Sequence, residues 1–97
     1  MSEKRLFVFA TISPKEEHYT EAKQAIINII QQTREESGCH QFELHESPSE
    51  GNLFLYEEWE SEQALAEHYE KPYIVDVFEQ YKEWLAAPVN IVKMQKC

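Results

Sequence analysis

The side chains best suited to joint chemistry sit in one stretch, Leu53–Tyr69, and they are Glu57, Trp59 and His68. Residues 53–59 are bulky and aromatic with no Gly or Pro, which suits a strand. Side chains alternate along a strand, so Leu55, Glu57 and Trp59 share a face. Ser61 can cap a following helix, and Glu62 places a negative charge in its first turn. His68 lies about two turns further on. A carboxylate, an indole and an imidazole can therefore converge where the strand gives way to the helix. An imidazole there can act as a base or a hydrogen-bond donor near neutral pH. With Tyr56 or Leu55, Tyr69, Tyr73 and Phe78 as further lining, the pocket would be aromatic and weakly polar, fit for a flat organic molecule. Each of the three also has a plainer role on residue type alone: Trp59 packing a strand end, His68 satisfied on a helix, Glu57 paired with a neighbouring donor.

Other chemistries find little support. The histidines, His18, His40, His45 and His68, lack metal-ligand spacing, and His40 and His45 fall on opposite faces of their strand, so no metal site is expected. With only two glycines there is no phosphate-cradling loop, and no serine stands in a nucleophile elbow. Cys39 and Cys97 make no disulfide framework. Cys39 reads as a small buried hydrophobe with no base beside it. The net charge of −9 opposes nucleic acid and anionic membranes. Its carboxylates, Glu35 and Glu36 among them, read mostly as a solvated helix surface. No apolar run approaches the ~20 residues of a membrane span. The opening residues lack the pattern of a signal peptide, so a cytoplasmic protein is expected.

The elements that must position the pocket follow from periodicity. Residues 5–12 form a strand that is apolar on both faces, Leu6, Val8, Ala10 and Ile12 on one and Phe7, Phe9 and Thr11 on the other. Ser13-Pro14 ends it, Pro14 fitting a helix start. Residues 15–36 form a helix with Ala22, Ala25, Ile26, Ile29, Ile30 and Thr33 on its inner stripe, closed by Gly38 in a left-handed position. Strands at 39–46 and 53–59 make a hairpin across the six residues 47–52. Helices follow at 62–70 and, after Pro72, at 73–85, the latter with a stripe of Ile74, Val77, Phe78, Tyr81 and Leu85 and with Trp84 at its border. A last strand covers 89–95.

The order is that of a ferredoxin-like βαββαβ domain spanning residues 1–97: α+β, a four-stranded antiparallel sheet with helices on one face and the first and third strands central. Helices cover only one face, yet the first strand is apolar on both. The uncovered face calls for a second copy, sheet against sheet, in a homodimer.

Several segments taken together resemble a known family. They are Glu36-Ser37-Gly38-Cys39, then Phe42-Glu43-Leu44, then Glu57-Glu58-Trp59, then Ala64-Leu65-Ala66-Glu67-His68, then Lys71-Pro72-Tyr73. They resemble, in order, the E-x-G-C turn, the strand ending E-x-W, the A-L-x-x-H helix and the x-x-P-H segment of the antibiotic biosynthesis monooxygenase (ABM) domain family. The resemblance implies a dimeric α+β barrel. It also implies oxidation of a small aromatic, of the hydroquinone or polyphenol type, by O2 with no flavin or metal cofactor, the substrate supplying the electrons. It carries over Trp59 and His68 as catalytic positions, with Glu57 as the orienter of His68. Tyr73 stands where many members have histidine. Haem-degrading members carry an axial histidine in the last helix, where this chain has Val77, Phe78 and Glu79. Isomerase-type members acting on a phosphorylated sugar would need cations, for which only Arg5, Lys71 and Lys93 are candidates. A non-redox isomerase and a small-ligand-binding stress module are the alternatives on the same fold.

Overall fold

A computed structural model describes residues 5–97. Its elements are β1 (Leu6–Ile12), a 3-10 turn (Glu16–His18), α1 (Tyr19–Arg34), β2 (Cys39–Ser47), β3 (Asn52–Trp59), α2 (Glu62–Tyr69), α3 (Pro72–Trp84) and β4 (Asn90–Met94). The strands pair antiparallel in the order β2-β3-β1-β4, with β1 and β3 central. This is the ferredoxin-like arrangement that the order of elements implied.

The inner face of the sheet holds Leu6, Val8, Ala10, Ile12, Leu53, Leu55 and Trp59, all buried. Against it α1 lays Ala22, Ile26, Ile29 and Thr33, and α3 lays Ile74, Val77 and Tyr81. The Tyr81 hydroxyl donates to the carbonyl of Ala22 at 2.7 Å, which fixes α3 to α1 inside the core. Ser61 caps α2 by accepting the Ala64 N–H at 3.1 Å, and Pro72 occupies the first turn of α3.

The outer face is different in kind. Phe9 stacks on Phe54 at 5.7 Å and stays 39% exposed, and Val92 beside it is 43% exposed. In the single chain the apolar second face of β1 is therefore uncovered.

Local readings need correction at several points. Pro14 does not open a helix. It bridges to Leu85 as an isolated β-pair, and the helical turns begin only at Glu16. The hairpin connection is four residues, 48–51, because Ser47 and Asn52 already pair. Gly51 there takes φ 73°, a conformation that favours glycine. Gly38 is not left-handed: among the described residues the only positive φ is at Gly51. Gly38 is required for a different reason, since a Cβ at that position would lie 2.5 Å from the Cβ of Ala64. The turn after α1 thus presses against α2. Phe78 leaves the inner stripe of α3 and is 37% exposed. No helix among the described residues is long and apolar enough to cross a membrane.

Candidate active site

β3 carries Glu57 and Trp59 on the inner face, where Glu57 faces Val8 on one side and Phe42 on the other in the sheet register. Such a position desolvates a carboxylate, and Glu57 is only 3% exposed. Its Oε1 accepts the indole Nε1–H of Trp59 at 2.8 Å. Burial pushes the Glu57 carboxyl up to about 7; the Trp59 hydrogen bond opposes the shift and the charge of Glu36 adds to it.

α2 brings His68 down onto this pair, one turn beyond Leu65 on the same buried face. The imidazole packs on the indole of Trp59 with ring centroids 4.6 Å apart, and on Phe42 and Tyr69 at 5.9 and 5.4 Å. Its Nδ1 meets Oε2 of Glu36 at 3.0 Å. The Tyr73 hydroxyl donates to the same oxygen. An ionised carboxylate oxygen can only accept, so this pairing favours the tautomer with its hydrogen on Nδ1 and the Nε2 lone pair free. Burial pulls the His68 imidazolium below its ordinary range, against the pull of Glu36, so the ring is neutral near pH 7.

Glu57 and His68 both line a cavity of about 40 Å³ between sheet and helices, together with Ala10, Leu55, Tyr69 and Val77. That is room for roughly three waters and not for an aromatic ring. A groove of about 500 Å³ lies alongside, formed by Leu85, Pro88 and neighbouring residues. Phe78, Tyr81, Val89 and Ile91 line both spaces and so form the partition between them. Of these two spaces, the groove is the one within the size range of small-molecule sites.

The residues expected to form the pocket divide. His68, Glu57, Tyr69 and Phe78 line the cavity. Trp59 does not; it is fully buried behind His68 and acts on the site through its N–H to Glu57. Glu57 does not orient His68, because its bonded oxygen is turned to the indole and Glu36 takes the imidazole instead. Tyr56 lies on the outer face, where alternation from Glu57 must put it, opposite Phe9 and bonded to Glu58. Tyr73 stands outside the cavity, on Glu36. Glu36 itself was expected at the solvated surface, yet its side chain is only 9% exposed. Its place in the E-x-G-C turn was the one signal available. Cys39 is half-buried, and burial pushes its thiol up to about 11, so it is no nucleophile. Burial also raises the phenols of Tyr69, Tyr73 and Tyr81, so among the cavity-lining groups only Glu57 and His68 can change protonation state near neutral pH. Among the described residues no cluster of His, Cys, Asp or Glu is arranged to hold a metal ion.

The sequence profile of the family described as antibiotic biosynthesis monooxygenase matches residues 5–85. The chain belongs to that family. Within the ABM family, a candidate monooxygenase of Mycobacterium tuberculosis, Rv0793, is 32% identical over 84 residues, covering 87% of this chain and 83% of the relative. The solved structure of Rv0793 superposes with a TM-score of 0.91 over 96% of this chain and 95% of that one, at 29% identity. A candidate monooxygenase of Bacillus subtilis, YcnE, is 32% identical over 82 residues, 84% of this chain and 82% of the relative. The structure of PA3566 from Pseudomonas aeruginosa reaches a TM-score of 0.92 over 100% of this chain and 98% of its own, but at 20% identity it speaks for the ABM fold alone. Monooxygenase-like function is therefore the general reading for this ABM protein.

Proposed function

We propose that the protein is a cofactor-independent monooxygenase that oxidises a small phenolic or hydroquinone-type aromatic with O2. The observation that carries this reading is that Glu57 and the neutral ring of His68 share one apolar cavity. The aromatic enters from the outer groove as Phe78 swings aside and joins the two spaces. Glu57 or His68 takes the phenolic proton. The electron-rich anion reduces O2 and forms a C–O bond at a ring carbon. The peroxide takes a proton, its O–O bond breaks as the ring C–H is lost, and water leaves. A phenol and O2 thus become a quinone and water, with one oxygen atom retained in the product. The substrate supplies the electrons, so the step needs neither flavin nor metal. The protein supplies a dry cavity and acid–base groups.

Oxygen uptake with a panel of quinols and phenols tests this. Turnover is expected in the wild type and a loss of roughly 100-fold or more in Glu57→Gln or His68→Ala. No uptake above the uncatalysed rate with any compound would overturn it. The presence of two proton-transfer groups on one cavity also suits a non-redox isomerase, which would turn over under nitrogen.

We further propose that two copies pair through their outer faces, supported by the exposure of Phe9 and Val92 next to Phe54. Sedimentation should then give a dimer that Phe9→Lys splits; a monomeric wild type would contradict it. Two unpaired thiols, Cys39 and Cys97, fit the reducing cytoplasm that we assign to it.

A further inference from the structure

The bonded pair of His68 and Glu36 stands between two spaces of opposite character. On one side is the apolar cavity that His68 lines. On the other is an open, polar hollow lined by Glu36, Gly38, Glu60, Gln63, Glu67 and Lys71. Glu36 belongs to that hollow and also holds Nδ1 of His68 at 3.0 Å, although its side chain is 9% exposed. No other described side chain both borders the hollow and bonds to a residue of the cavity wall.

The turn that carries Glu36 is built to hold this contact. The N–H of Glu36 returns to the carbonyl of Thr33 at 3.0 Å, and the Glu36 carbonyl accepts the N–H of Cys39 at 3.0 Å. The carbonyl of Gly38 accepts the N–H of Glu60 at 2.8 Å, which ties the turn to the end of β3. The missing Cβ of Gly38 lets the turn close on Ala64, one helical turn before His68. Tyr73 fixes the same carboxylate oxygen from α3. Three elements thus converge to aim one carboxylate at Nδ1.

We propose that Glu36 is the positioning residue of His68 and its proton outlet. By accepting the Nδ1 hydrogen it holds the ring in the tautomer whose Nε2 lone pair is free for the cavity. When Nε2 takes a proton, the Nδ1 proton passes to the Glu36 carboxylate and from there to water in the hollow. The reverse transfer returns a proton to Nδ1 as Nε2 gives its own to the peroxide, so the ring itself stays uncharged through the cycle. This rests on the reading of His68 as a proton acceptor for the cavity. The titratable groups facing the imidazole are Glu36 from the turn after α1, Glu57 from β3, Cys39 from β2, Tyr69 on its own helix, Lys71 at the α2–α3 junction and Tyr73 from α3.

Nitrogen-15 NMR of the His68 ring tests the assignment without any substrate. In the wild type the Nδ1–H tautomer is expected. Glu36→Gln keeps an acceptor of the same shape, so it should keep that tautomer. It should lower the imidazole pKa by about one unit, as loss of a neighbouring negative charge does, and slow exchange of the Nδ1 proton with water about tenfold. Glu36→Leu should move the ring to the Nε2–H tautomer. An Nε2–H ring in the wild type, or wild-type exchange in Glu36→Gln, would overturn the proposal even if quinol oxidation were established. The expected tautomer and exchange pattern would support it even if no quinol were turned over. Glu36→Gln, nearly isosteric, guards against an effect of misfolding in Glu36→Leu.

Discussion

Two carboxylates flank the buried imidazole, and the regions around them are built in opposite ways. Glu57 is set mid-strand in the central sheet, between Val8 and Phe42, with an indole N–H as its one described partner. Glu36 sits in a turn between helix and strand, takes two donors on one oxygen, and borders an open hollow. The first region is buried and apolar and raises the proton affinity of its acid. The second is pinned at its backbone but touches water. The contrast teaches that what a carboxylate does here is set by its neighbours and by access to solvent, not by its distance from the histidine. A strand position inside a two-layer fold supplies a group poised to exchange protons with something in the cavity. A turn supplies a link between the cavity wall and bulk solvent.

The largest effect should come from breaking the dry side. Trp59 is fully buried, so Trp59→Ala removes its packing and leaves Glu57 without its donor. A loss of about 3–5 kcal/mol is expected in urea unfolding. Trp59→Phe keeps most of the packing and loses only the N–H, at about 1–3 kcal/mol. A Trp59→Phe variant as stable as the wild type would mean that the hydrogen bond to Glu57 contributes nothing.

The pH dependence of stability sharpens the same contrast. The Glu57 carboxyl lies at about 7 when folded, above its ordinary 4.5. The folded state therefore holds the proton more tightly. Stability due to this group is greatest below about 4.5 and falls by about 3 kcal/mol as pH rises through about 7. His68 works in the other direction. Its folded value is lowered, so its contribution is present above the ordinary 6.5 and is lost as pH falls through the folded value. The two slopes oppose each other in weakly acidic solution. Denaturation curves between pH 5 and pH 8 should show Glu57→Gln rising with pH more than the wild type. Parallel curves would remove Glu57 as a buried titrating acid.

Much of this arrangement is legible in the sequence. The alternation of Leu6, Val8, Ala10 and Ile12 against Phe7 and Phe9 defined a central strand, and the Ser61 cap and the stripe of α1 followed from local rules. The same alternation should have excluded Tyr56 from the pocket, since it cannot share a face with Glu57. What was not legible depends on tertiary approach. Gly38 looks like a helix stop, but its role is to let a turn meet Ala64, a residue distant in sequence. Glu36 looks like one more surface acid, because nothing local says that the turn folds inward. Phe78 fits a helical stripe by spacing, yet it is part-exposed and lines both the cavity and the groove instead.

The smallest effect concerns the wet side. Gly38→Ala would force its Cβ to 2.5 Å from that of Ala64. A cost of about 1–3 kcal/mol is expected, largely recovered in the double variant Gly38→Ala with Ala64→Gly. Purely additive losses would show that the close approach does not hold the turn.

The central claim, that Glu57 and His68 serve an oxygenation inside the cavity, is tested most directly by isotope labelling. The wild type is given a quinol or phenol that it turns over under 18O2, and the product is read by mass spectrometry. The account predicts one labelled oxygen atom per quinone, with product formation lost in Glu57→Gln and His68→Ala. Product with no label from O2, or equal turnover under nitrogen, would contradict it.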